Sequence, residues 1–159
     1  MTEIERIQDQ LRRAFHGEAW HGPSLREALD GVTAEQAAAR PLSGAHTVGE
    51  IVLHLAAWLG VMPRRLAGEA AREPAEGDWP SAEGMGEAEW RALLARLEER
   101  HAALLDAVSR VDPARLDEPI FPGWTSVSMN LHGTAEHLAY HAGQVVLLRR
   151  AAESRGGAA

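Results

Sequence analysis

The chain contains no cysteine, so disulfides, thiolate metal sites and cysteine nucleophiles are all excluded. Any metal bound here must use histidine, aspartate or glutamate. No window of the sequence offers the roughly 18 uninterrupted apolar residues of a spanning helix. The opening MTEIERIQDQLRR is charged from its third residue and holds no apolar run of leader-peptide length. By elimination the sequence is placed in the cytoplasm. Basic residues are outnumbered, 16 Lys+Arg against 23 Asp+Glu, and form no dense patch. A net charge of −7 repels phosphate backbones, so nucleic acid is not an expected partner, and without a spanning helix neither is a membrane. The arginines are scattered among glutamates and read as solvated helix faces. β-Branched residues are sparse while Ala, Leu, Glu and Arg recur, which favours helix over sheet.

The 159 residues suit one domain, expected over 1–155 with a disordered tail over 156–159. Apolar residues recur at spacings of three and four in four long segments. The first runs from Thr2 to about Ala19 and carries Ile4, Ile7, Leu11 and Phe15. Gly22-Pro23 breaks the chain, and Ser24 to Leu29 suits a short helical segment. Thr33 with Gln36 is a capping-box pattern for another short helix, ending before Pro41. Thr47 with Glu50 is a second capping box, opening a long helix to about Leu66. Val48, Ile51, Val52, Leu55, Leu59 and Met62 form its stripe, and Pro63 sits near its end as a kink or a stop.

Residues 68–86 read as a long loop that crosses over or borders a site. A third long helix spans Glu87 to Arg110, and Asp112-Pro113 starts a helical turn. Glu118 to Trp124 reads as loop. The fourth helix runs from Ser126 or Ser128 to about Ala152, with Leu131, Ala135, Leu138, Ala142, Val145 and Leu148 inward. These segments specify an all-α fold, a four-helix bundle with short extra helices, whose helix order the loop lengths do not fix.

His137 and His141 are four residues apart in a helical segment, so both imidazoles stand on one side, one turn apart. His54 lies mid-helix at the margin of another apolar stripe, with Trp58 one turn later. Two histidines from one helix and one from another make a three-nitrogen set. Neutral imidazole suits zinc, nickel, copper or iron, and three protein ligands leave a position open for water or substrate. The open position can generate hydroxide near neutral pH or activate a thiolate.

Three segments carry a resemblance. His137-Leu-Ala-Tyr-His141-Ala-Gly-Gln144 with the apolar run to Arg150 resembles the C-terminal signature of the DinB-like superfamily. Thr47-Val-Gly-Glu-Ile-Val-Leu-His54-Leu-Ala-Ala-Trp58 resembles the earlier ligand helix, and Trp20-His-Gly-Pro-Ser24 the end of the first helix. The resemblance implies a four-helix bundle with a long crossover connection, homodimers, and one divalent ion, zinc or nickel, held by His54, His137 and His141. It also implies a small-molecule substrate and, from characterised relatives, a low-molecular-weight thiol as cosubstrate of a transferase or isomerase.

Other residues remain open. Gln144 can touch a metal-bound water, order His141, or join a backbone group. Glu50 can orient His54 or serve only as the capping-box carboxylate. Trp58 and Tyr140 suit packing more than a substrate platform. Trp20 and His21 can line the pocket mouth, with His21 a candidate fourth ligand, and Trp79 and Trp124 can border a cleft. His16, His46, His101 and His132 read as surface or capping residues, and Glu136 as solvated. The first functional reading is a metal-dependent thiol transferase. A metal-dependent hydrolase and a non-catalytic metal- or ligand-binding stress protein are the alternatives.

Overall fold

A computed structural model describes residues 1–156 and contains helices α1 (Glu3–His16), α2 (Leu25–Leu29), α3 (Ala34–Ala38), α4 (Val48–Leu66), α5 (Glu87–Ser109) and α6 (Val127–Gly156). A 3-10 turn spans Pro113–Arg115, with Asp112 capping it. Among the described residues there is no strand, only one antiparallel bridge between Pro119 and Ser126. No described helix is long and apolar enough to cross a membrane.

Local chemistry sets the starts. Thr2, Ser24, Thr33 and Thr47 each accept the backbone N–H three residues on, and Glu5, Glu27, Gln36 and Glu50 reach back to the cap. Each box satisfies two otherwise orphaned amides at a helix start. Helix α1 stops at His16, three residues short of the expected Ala19. Gly17 takes φ 144° and Glu18 φ 60°, neither of which continues a right-handed helix. Pro63 lies inside α4 without ending it, because the helix closes one turn later at Leu66. Helix α6 extends past the expected Ala152 to Gly156, so Gly156 of the expected tail is helical and 157–159 lie outside the described residues.

The apolar stripes close the bundle. Helix α1 packs against α5 and α6, and α4 packs against the same two, giving the order α1–α5–α4–α6 around the core. The expected stripes of α1, α4 and α6 are buried throughout, while Leu94 and Leu105 of α5 are only partly covered. Helices α4 and α5 are direct neighbours, so the 67–86 connection does not cross the bundle. The diagonal passages are α1 to α4, through α2 and α3, and α5 to α6, through residues 110–126. The 67–86 segment instead folds back over α4. It approaches so closely at Gly49 that a Cβ there would lie 2.8 Å from Met85 and 3.1 Å from Ala82.

His101 departs from the surface role expected of it. It is 1% exposed, stacked on Phe15 at 3.9 Å, with Nε2 3.3 Å from the Leu11 carbonyl. It continues the Leu97, Leu104, Val108 stripe of α5 at helical spacing, so burial follows from its register. His16 stays exposed at the edge of that stack, and His132 joins α6 to α1 through Gln10 at 2.8 Å.

Candidate metal centre

Helices α4 and α6 face each other with opposite senses. His54 meets His137, while Arg65, further along α4, meets Asn130, earlier on α6. The sequence therefore brings His54, His137 and His141 to one place, with one ligand atom of each lying within 4.8 Å of the others. His54 Nε2 is 2.9 Å from His137 Nε2, which is 3.0 Å from His141 Nε2.

The opposite edges of two rings are already committed. His54 Nδ1 is 2.6 Å from the Asp78 backbone carbonyl, which can only accept, so the proton sits on Nδ1 and Nε2 presents its lone pair. His141 Nδ1 donates to the Gln144 amide oxygen at 2.6 Å, which leaves its Nε2 lone pair facing inward too. Two acceptors thus converge on His137, whose single Nε2 proton cannot serve both. A cation resolves the conflict. Two nitrogens on one tetrahedral zinc stand about 3.3 Å apart, so the rings need open by only a few tenths of an ångström. The donor set fits a divalent ion.

Burial favours the neutral rings that ligation needs. It pushes the His137 pKa down to about 4, helped by His141 and His54 alongside. Burial also lowers that of His141, against the raising effect of its Gln144 bond.

A family model described as the DinB superfamily matches residues 19–145, a span that includes all three histidines. The chain belongs to the DinB superfamily. No curated protein and no solved structure matches it.

In this DinB-superfamily chain the centre opens on a cavity of about 400 Å³ between α4 and α6. Leu55, Leu59, Met62 and Leu138 give it an apolar floor, and Trp58, Arg65, Asp78 and Asn130 supply its polar wall. Trp58 donates through Nε1 to the Asp78 carboxylate at 2.7 Å. The same carboxylate lies 3.2 Å from His54 Nδ1.

Glu50 does not orient the His54 ring, whose Nδ1 is taken by Asp78. The Glu50 carboxylate caps Thr47 at 2.8 Å and bonds Arg40 at 2.8 Å, with His46 at 3.3 Å. Asp78 does the orienting that was considered for Glu50. It lies 24 residues from His54 on a loop, beyond the reach of any helical spacing rule. Trp79, next along, covers His54 from outside, with ring centroids 4.0 Å apart and planes 10° apart. Its ring also stacks on His46 at 3.5 Å. His46 is therefore part of the ring column that backs the centre.

Several expectations fall elsewhere. Trp20 and His21 line a separate hollow with Arg13 and Glu136, and His21 is not in the histidine cluster. They follow α1 after its early end, which carries them to the outer face of α1 and α6. Tyr140 touches the edge of His141 at 5.0 Å but is 64% exposed and points away from the cavity lining. Trp124 stacks on Phe121, with the Arg65 guanidinium 5.9 Å from its ring. Glu136 is exposed, as its register implies. Arg65 is not a solvated arginine: it is 6% exposed and belongs to the cavity.

Gln144 supplies a direct test of the ordering bond. Gln144→Leu should weaken zinc binding by roughly 10- to 100-fold, the usual cost of removing a partner that orients a ligand histidine. Competition against a chromophoric chelator reads this. Unchanged affinity would mean that the Gln144 bond does not set the His141 ring.

Proposed function

We propose that this chain is a metal-dependent enzyme that holds one zinc or nickel ion on His54, His137 and His141 and activates a small thiol for transfer to an electrophile. The observation that carries this reading is the meeting of three imidazole Nε2 atoms, with the outer edges of the His54 and His141 rings already bonded to Asp78 and Gln144. When bound, the ion supplies Lewis acidity, which favours the thiolate over the thiol at neutral pH.

The protein's own residues do the rest. Asp78 and Trp79 fix the His54 ring from its edge and its face. Leu55, Leu59, Met62 and Leu138 keep the cavity floor apolar, which suits a thiol and strengthens electrostatic interactions beside it. The carboxylate nearest the centre, Asp78, is held by Trp58 and turned toward His54. Its bonds to Trp58 and His54 make it a positioning group for the His54 ring.

The test is turnover of the zinc- or nickel-loaded chain on a panel of small thiols and electrophiles, with His54→Ala as control. Thiol-dependent transfer lost in the control supports the reading. Ester or amide hydrolysis that needs no thiol and is lost on chelation would replace transfer with hydrolysis. Retained metal with neither activity would leave a binding protein.

A further inference from the structure

Among the described residues Arg65 is a buried charge without a countercharge. Its partners among the described residues are the carbonyls of Ala71 at 2.7 Å and Arg72 at 2.9 Å, and the Asn130 amide oxygen at 3.3 Å. No carboxylate is among them. A guanidinium offers five N–H donors, so these bonds leave part of the fork unspent. The two carbonyls hold the Nε and Nη2 side firmly, while the Nη1 side has only the long Asn130 contact. Burial disfavours its charged form. Aromatic rings compensate in part: the guanidinium carbon is 5.5 Å from the Trp58 ring and 5.9 Å from those of Phe121 and Trp124. Arg72 also lies over Trp124, at 5.7 Å, which adds a second positive group to this end of an acidic protein.

The position matters as much as the charge. Arg65 and Asn130 line the same cavity as His54 and His137. Asn130 precedes His137 by seven residues on α6, about 10 Å along the axis. Trp58 spans the interval, with its ring 6.3 Å from that of His54 and beside the guanidinium. The cavity therefore has a cationic fork at one end, His54 and His137 of the three-imidazole cluster at the other, and an apolar floor between.

We propose that Arg65 forms an anion subsite that takes the carboxylate of a small organic acid, with the rest of that molecule extending over Trp58 toward the three histidines. A carboxylate fits better than a phosphate. One guanidinium with a partly spent fork matches a planar monoanion, whereas a dianion wants more donors than this wall supplies. That the far end of the acid is the reacting end rests on the metal reading; the subsite itself does not.

The test uses the full-length chain, once metal-free in the presence of a chelator and once loaded with zinc. The probes are butyrate, its neutral counterpart butyramide, and inorganic phosphate. The readouts are tryptophan fluorescence and the ¹⁵N resonance of Arg65 Nε. In the metal-free chain butyrate should bind about tenfold more tightly than butyramide and than phosphate, and should shift the Arg65 resonance. Arg65→Lys, which keeps the charge and loses the fork, should weaken butyrate about fivefold. The wild-type comparison stands even where that variant folds poorly. Equal binding of butyrate and butyramide, tighter binding of phosphate, an unmoved Arg65 resonance, or no saturation by about 50 mM would each overturn the subsite. Failure of zinc to bind a chain that still selects butyrate would instead count against the metal reading alone.

Discussion

His137→Ala should lower zinc affinity by about sixty- to seven-hundredfold while leaving the fold in place. Four-ligand zinc sites carry apparent binding energies of about 10–16 kcal/mol, or about 2.5–4 kcal/mol for each ligand. Each 1.4 kcal/mol is about tenfold in affinity. His137 is the middle of the cluster, within 3.0 Å of both other Nε2 atoms, so its loss leaves two donors that no longer share a neighbour. The metal-free chain should lose less than about 1 kcal/mol, because the removed ring makes its close polar contacts with two other acceptors. His132→Ala is the matched control. That residue is on the same helix but bonds Gln10 of α1, so its loss should leave zinc affinity unchanged. Chelator competition with circular dichroism on both variants reads the result. Equal affinity in His137→Ala and wild type would remove His137 from the ligand set.

The second large effect is on stability and pH. Burial pushes the His101 pKa down to about 4, with His16 nearby acting in the same direction. In the unfolded chain the ring titrates near its ordinary value of about 6.5. Between these values the unfolded state takes up a proton that the folded state refuses, so stability rises with pH across that window. It is fully present above about pH 6.5, falls as the pH drops toward 4, and levels off below. At about 1.4 kcal/mol per pH unit, His101 alone withdraws up to about 3 kcal/mol by pH 4. His137 and His141 are lowered too and act with the same sign, so the wild-type profile alone does not isolate His101. His101→Phe does. It keeps an aromatic ring against Phe15 and removes the titrating group. Urea unfolding at pH 7 and pH 4.5 should show a smaller acid loss in the variant by about 2–3 kcal/mol. Parallel losses in both proteins would mean that His101 is not protonated selectively in the unfolded chain.

Much of this architecture is legible in the sequence because helices repeat. The Ile4, Ile7, Leu11, Phe15 stripe and its counterparts on α4 and α6 name the buried faces, and the Thr33 and Thr47 boxes place helix starts to the residue. The pairing of His137 with His141 follows from the same periodicity, since four residues return a side chain to one face. His54 is harder: its own helix puts it inward, but only the tertiary fold says what it meets. His101 was legible in principle, because its spacing from Leu97 and Leu104 puts it on the buried stripe of α5 despite its polar character.

What the sequence hides lies in the 67–86 loop. Asp78 and Trp79 reach His54 through a loop path that no period encodes, whereas helical spacing offers only Glu50, one turn away, either as an orienting group or as the capping-box carboxylate. Helix geometry does bring Glu50 to that distance. Capping chemistry claims its carboxylate first, through the Thr47 amide and Arg40. Arg65 misleads for a related reason. It stands in the last turn of α4, where basic residues commonly face water and complement the helix dipole. The chain turns back over it at Ala71 and Arg72 and covers it.

The most direct measurement is zinc K-edge X-ray absorption on the full-length chain loaded with one equivalent of zinc, beside His54→Ala. The account predicts three imidazole nitrogens at about 2.0 Å in the wild-type chain and the loss of one in the variant. A shell of oxygens alone, or the same imidazole count in both proteins, would contradict it.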